Sequence, residues 1–557
     1  FRVMQNVRYD RQVRLWGDDG QSAVENTSVC VLGASSLATE TLKNLVLAGI
    51  ESFCIIDDAL VEEPDLGTNF FMESGDVGKP RAEVAVKLLK DLNEQVKGRC
   101  ILRSPSCSSQ RSLEQLTQFS VVVASNLTEG ESFPISSFLF ARGIPFLWTR
   151  SYGLLGCVRV CVREHTILNT HQENLPPDLR LDMQFDELKH LVHCIRVEQM
   201  SDEQVRHIPY LLLYAIALKD YKESLSDHSA FPSTSAARKS FLPYVMKLER
   251  ERSDGGVSEN FEQAKTSLAR ALLPTRIPSS LEAILTDAKC AEGSTENEPF
   301  WIMAAALRRF VERNGVIPLS GQLPDMASDS ASYSRIAAIY HDKALKDCDE
   351  VMRDVQELEW MVREEEDDRM DGEDMEDSAS LITREACLRF CRNASSLGVQ
   401  RGSCLSAVKE GSFRRIVDLI AEDGEESTER ICVSPALWLL LLRAVDRFKH
   451  EKSRFPGTNG IPCDIDSYDV KARVESIVKE SLGDMESSDV ELVLKRIPGA
   501  AVDEMCRYGA CELHGVSSVV GGVTSQEVIK ISTRQYTPIN NTLVYDAHAG
   551  IMETFVL

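Results

Sequence analysis

Residues 1–160 alternate short apolar runs with stretches whose apolar positions recur at helical spacing. The runs Ser28–Leu32, 52–57, Val121–Ser125, 145–149 and 157–163 predict strands. Between them Arg81–Leu92 places Val84, Ala85, Leu88 and Leu89 on one helix face. This alternation predicts a parallel sheet covered by helices. From 165 to 480 the pattern changes to long helices, among them 208–219, Pro299–Asn314, 332–359 and 436–449. Polar segments at 224–235 and 453–462 read as linkers. An acidic tract, 364–377, has weak patterning and reads as solvated surface. Beyond 498 the α/β pattern returns: Gly521 predicts the start of a helix, and 541–546 a strand with alternating sides. The expected organisation is an α/β domain at 1–164, a helical insert at 165–490, and a segment 491–557 that completes the first domain. No repeat of fixed period is visible.

The run Ser28–Leu32 leads into a tight turn, Gly33-Ala34-Ser35-Ser36, and then a helix packed through Leu42, Leu45, Val46 and Gly49. A second strand closes the unit at Asp57. This is the strand–loop–helix of a mononucleotide-binding unit. A working phosphate loop is rich in glycine because backbone N–H groups must approach the anion without a Cβ in the way. Here Gly33 stands alone, and Ser35 and Ser36 put side chains where that approach would occur. The fold signal is intact and the nucleotide-site signal is degraded, the mark of a pseudoenzyme.

Bulk properties narrow the class. A chain of 557 residues exceeds one hydrophobic core. A net charge of −24, from 62 basic and 86 acidic residues, disfavours nucleic acid and anionic membrane as partners. The longest apolar run, 435–445, is interrupted by Arg443 and is too short to span a bilayer. The opening residues lack a charged-then-apolar leader pattern. The 16 cysteines are scattered, and Cys30, Cys54, Cys157 and Cys161 sit in strand-like runs. No Cys-x-x-Cys pair occurs, so no metal site is expected, and reduced, buried thiols of a cytoplasmic or nuclear protein are.

Specific motifs carry a family resemblance. Arg8-Tyr9-Asp10-Arg11-Gln12-Val13-Arg14-Leu15-Trp16-Gly17 is similar to the opening helix of ubiquitin-like modifier activating enzymes, as are Ala48-Gly49-Ile50 and Val77-Gly78-Lys79-Pro80-Arg81-Ala82-Glu83. Further stretches, including Leu179-Arg180-Leu181-Asp182, Arg276-Ile277-Pro278-Ser279-Ser280, Leu442-Arg443-Ala444-Val445-Asp446-Arg447-Phe448 and Cys506-Arg507-Tyr508-Gly509-Ala510, resemble the regulatory subunits of the neddylation branch. The SUMO branch shares the opening motif but lacks so large a helical insert. The resemblance implies a Rossmann-like adenylation-type (ThiF/MoeB-like) domain whose nucleotide site is degenerate, with a large, mainly helical insert.

Active relatives of this kind hold Mg-ATP with a glycine-rich loop, an Asp after the second strand, an Asn and Arg beyond it, a Lys on the next helix and a later Asp. By the resemblance, this chain keeps Gly33 and Asp57 as vestiges. Its Asn–Arg segment falls on Asp65-Leu66-Gly67-Thr68-Asn69-Phe70, Arg81 stands at the lysine position, and Ser125 at the later carboxylate. No cofactor is therefore expected on this chain, and Mg-ATP is expected on a catalytic partner subunit in an obligate heterodimer that also engages the modifier. By the motif around it, Arg11 is expected to act in trans on the ATP phosphates of the partner's site, a task that suits a planar guanidinium; as an isolated residue it would read instead as a surface arginine paired with Asp10 or another acid. No thioester cysteine is recognised: Cys194, Cys387, Cys391 and Cys432 are expected to be buried and structural. Two other classes remain open. One is a self-sufficient homodimeric adenylating enzyme in which Arg11 serves the twin site; the other is a dehydrogenase, for which the opening helix has no role.

Overall fold

The computed structural model describes residues 2–557 except 108, 174, 228–229, 251–255, 292–297, 368–381, 407–411, 423–433 and 483–486. Most of the acidic tract and Cys432 therefore lie outside the described residues. The chain forms two compact units: Phe1–Ile167 with Val399–Leu557, and Leu168–Gly398.

In the first unit, α1 (Arg2–Glu25) is broken at Gly17, whose φ is 75°. It leads to β1 (Ser28–Leu32), α2 (Ser36–Ala48), β2 (Ser52–Ile56), α3 (Arg81–Leu92) and β3 (Lys97–Ile101). β4 (Val121–Ser125), β5 (Phe146–Tyr152) and β6 (Leu155–Cys161) follow, and a C-terminal hairpin pairs Thr542–Asp546 with Ile551–Phe555. All belong to one eight-stranded sheet. β3, β2, β1, β4 and β5 run parallel in that spatial order, then β6 and the hairpin add antiparallel strands. Val29 to Leu32 are fully buried because a strand covered on both faces has no polar side to alternate with. Each such side chain contributes on the order of 1.5–3 kcal/mol by leaving water.

Three elements differ from the sequence reading. β3 has no apolar run of its own; it is a sheet edge carrying Lys97 and Arg99, and it joins the sheet by backbone pairing with β2. Gly521 lies inside the helix His514–Thr533 rather than starting it. A Cβ there would come within 2.9 Å of Glu40 Cβ and 3.0 Å of Thr41 N, so the glycine allows that helix to cross α2 closely. The helical insert ends at 398 rather than 490. The helix Pro435–Lys452 buries Ala436 through Leu442 in the same apolar cluster as Trp148, Leu155 and Cys157 of the sheet. Its Trp438 Nε1 donates to Asp546 at 2.9 Å, and its Asp446 pairs with buried Arg150 at 2.8 Å. Helical periodicity reports a helix but not which sheet it covers.

The second unit is built mainly of helices, including Tyr210–Glu223, Ser235–Met246, Glu259–Ala271, Pro299–Asn314, Ser330–Asp367 and Arg384–Arg392. Leu211, Tyr214, Phe241, Phe261 and Tyr340 anchor one of its apolar cores. The Tyr340 hydroxyl satisfies itself by donating to Leu179 O at 2.6 Å.

Candidate functional site: a filled phosphate cradle

Strand order reverses between β1 and β4, and in open α/β sheets the crevice at the carboxyl ends of such strands is where ligands bind. Gly33 leaves β1 there with φ 95°, and an added Cβ would stand 2.8 Å from Ser125 O at the end of β4. Ser35 caps α2 by accepting from Ala38 N at 3.2 Å. Its hydroxyl also meets the Ser125 hydroxyl at 2.7 Å. The two residues that replace loop glycine and carboxylate are thus bonded to each other across the crevice.

The first N–H groups of α2 form the anion-binding end of the helix. Here the chain supplies the anion. Glu512, carried on the segment just before the helix His514–Thr533, accepts from Ser36 N at 3.0 Å and Leu37 N at 3.2 Å. It also accepts from Asn126 Nδ2 at 2.6 Å. Burial raises the Glu512 carboxyl above its usual range, while these donors and the Arg81 charge pull it down. Beside it, His514 Nδ1 lies 3.3 Å from Thr68 O, and its ring contacts Phe70 at 3.9 Å between centroids. Ser36 Oγ donates to Thr68 O at 2.7 Å, and Thr39 Oγ1 to Asn69 Oδ1 at 3.0 Å, so the 65–70 segment is pinned to the first turn of α2.

Asp57 is engaged on both oxygens. Its Oδ2 accepts from Ala34 N at 2.7 Å and Arg81 Nη2 at 3.1 Å, and its Oδ1 from Ala59 N at 2.8 Å. Arg81 also reaches Asp65 at 3.5 Å. Gly33, Asp57 and Arg81 therefore come together as an internal network in which both Asp57 oxygens are paired, while Arg81 Nε is buried without a hydrogen-bond partner among the described residues. Two carboxylates occupy the N–H groups that a phosphate would need, so the residues present do not fit Mg-ATP. Glu512 escaped the sequence reading because it lies 476 positions from Ser36 and no motif marks it.

Arg11, on the exposed side of α1, has no hydrogen-bond or ion-pair partner among the described residues. Asp10 pairs with Arg14 instead, at 2.9 Å. Among the cysteines, Cys387 and Cys391 are buried, as expected. Cys194 is not: it is exposed at the end of the helix Asp186–Cys194, with Sγ 3.8 Å from His190 Nδ1 one turn earlier. The apolar run around it is the buried face of a short helix, and the cysteine falls off that face.

The ThiF family pattern matches residues 9–556. The chain belongs to the ThiF family. It is 44% identical over 554 residues to the NEDD8-activating enzyme E1 regulatory subunit of Caenorhabditis elegans, covering 99% of this chain and 98% of that relative. The Danio rerio protein of the same name is 36% identical over 561 residues, covering 100% of this chain and 99% of its own length. In Arabidopsis thaliana, the NEDD8-activating enzyme E1 regulatory subunit AXL is 33% identical over 545 residues, covering 97% of each chain. Matches along the full length place this ThiF-family chain among the E1 regulatory subunits, in agreement with the resemblance carried by the opening helix and the distributed motifs. A regulatory subunit works with a catalytic one.

Proposed function

We propose that this chain is the half of a heterodimeric NEDD8-activating enzyme that carries no nucleotide chemistry of its own. The catalytic subunit holds Mg-ATP, adenylates the modifier's C-terminal carboxylate with release of pyrophosphate, and captures the acyl group on its own cysteine with release of AMP. This chain scaffolds that subunit, helps to position the modifier and works in the cytoplasm and the nucleus. The filled cradle is the observation that carries this reading: Glu512 holds the α2 N–H groups where an ATP phosphate would sit.

Arg11 is the one residue of this chain assigned to the reaction itself. Its exposed guanidinium, without a partner among the described residues, is available to reach across the dimer to the phosphates in the catalytic subunit's site. There it would neutralise charge that builds on the departing pyrophosphate. Arg11→Ala in the reconstituted pair tests this. A charge-assisted contact of about 1.5–3 kcal/mol corresponds to a loss of roughly 10- to 100-fold in kcat/KM for ATP. Unchanged ATP kinetics in an intact heterodimer would remove Arg11 from the site.

A further inference from the structure

In the second unit three cysteines meet although the sequence separates them. Cys348 lies on the helix Ser330–Asp367, and Cys387 and Cys391 lie one turn apart on the helix Arg384–Arg392. All three are buried, and their sulfur atoms lie within 4.8 Å of one another. Three sulfurs bound in a plane to one ion at about 2.3 Å would be about 4.0 Å apart, so the cluster needs only slight contraction.

We infer that Cys348, Cys387 and Cys391 form a three-thiolate site for one soft, thiophilic metal ion of the copper(I) type. The donor set selects the metal. Thiolate sulfur prefers soft ions, and no histidine or carboxylate joins the cluster among the described residues. Structural zinc takes four protein ligands, whereas copper(I) is content with three sulfurs. Binding would release the thiol protons to solvent and leave the copper oxidation state unchanged.

The surroundings suit a preformed site. Two ligands one turn apart on a helix point to the same side, so the helix fixes their spacing before any ion arrives. Arg384 pairs with Asp349, the residue next to Cys348, at 2.6 Å, which joins the two ligand-bearing helices and sets a guanidinium beside sulfurs that become anionic. Phe390, next to Cys391, packs edge-on against Phe300 at 5.5 Å between ring centroids. The cluster lies in the second unit and the filled cradle in the first.

The test is anaerobic titration of the reduced full-length chain with copper(I) against a chromophoric copper(I) chelator. One equivalent should be withdrawn from the chelator, with sulfur-to-copper charge-transfer absorption. Cys348→Ser and Cys387→Ser should each weaken binding by at least on the order of 100-fold, and Cys194→Ser, at an exposed cysteine, should not. X-ray absorption of the loaded wild-type chain reads the site even if a serine variant misfolds; three sulfur neighbours are expected. No stoichiometric uptake, uptake that survives Cys387→Ser, oxygen or nitrogen ligands, or stoichiometric zinc uptake that copper(I) does not displace would each overturn the assignment.

Discussion

Replacing Glu512 by alanine should both weaken the fold and create an anion site. The carboxylate takes three hydrogen bonds, from Ser36 N, Leu37 N and Asn126 Nδ2. At about 0.5–1.5 kcal/mol each, their loss costs about 1.5–4.5 kcal/mol. A negative charge at the start of α2 adds about 0.3–1 kcal/mol. The residue is half-buried, so water re-solvates part of the cradle, and about 2–3 kcal/mol is the expected net loss. Urea unfolding followed by tryptophan fluorescence measures it as a lowered midpoint with little change in slope. The variant's exposed N–H groups should then accept inorganic phosphate. Phosphate at about 100 times its dissociation constant would return about 2.7 kcal/mol, whereas the wild-type chain, already filled, should gain no such increment. A variant as stable as wild type, or equal phosphate stabilisation of both, would refute the reading of Glu512 as an internal phosphate substitute.

Other consequences are as direct. His165 is buried, and burial, with the Arg534 charge second, lowers it to about 4. The unfolded chain is protonated first as pH falls through about 6.5, so this contribution is complete above that pH and is lost on descending towards 4; it amounts to about 3 kcal/mol. His165→Phe should flatten that part of the pH–stability curve. Asp446→Ala should destabilise by about 3–5 kcal/mol by stranding Arg150 without its carboxylate. The double change Arg150→Met with Asp446→Leu should recover most of that loss, read in the same urea titration. Cys194→Ser should leave thioester formation by the reconstituted pair unchanged; its abolition would make the exposed thiol a nucleophile.

The sequence disclosed the mononucleotide unit because a buried parallel strand and a loop-initiated helix leave local signatures. Ser28–Leu32, Val121–Ser125 and Arg81–Leu92 form the elements their patterns predict, with the same ends. What escaped was non-local. β3 exists through its neighbour's backbone, the boundary at 398 through packing of the helix Pro435–Lys452, and the cradle through a carboxylate from the far end of the chain. Ser35 and Ser125 announced a loss of glycine and carboxylate, yet only the structure joins them at 2.7 Å. The cysteine cluster was invisible for the same reason: Cys387 and Cys391 share a visible helix face, while Cys348 reaches them only through helix packing.

ATP–pyrophosphate exchange tests the division of labour most directly, measured with NEDD8 and this chain alone, then with the catalytic subunit added. Silence from the chain alone and exchange in the mixture is the expected result. Exchange by the chain alone would mean that ATP displaces Glu512 from α2, and that this subunit carries a working nucleotide site.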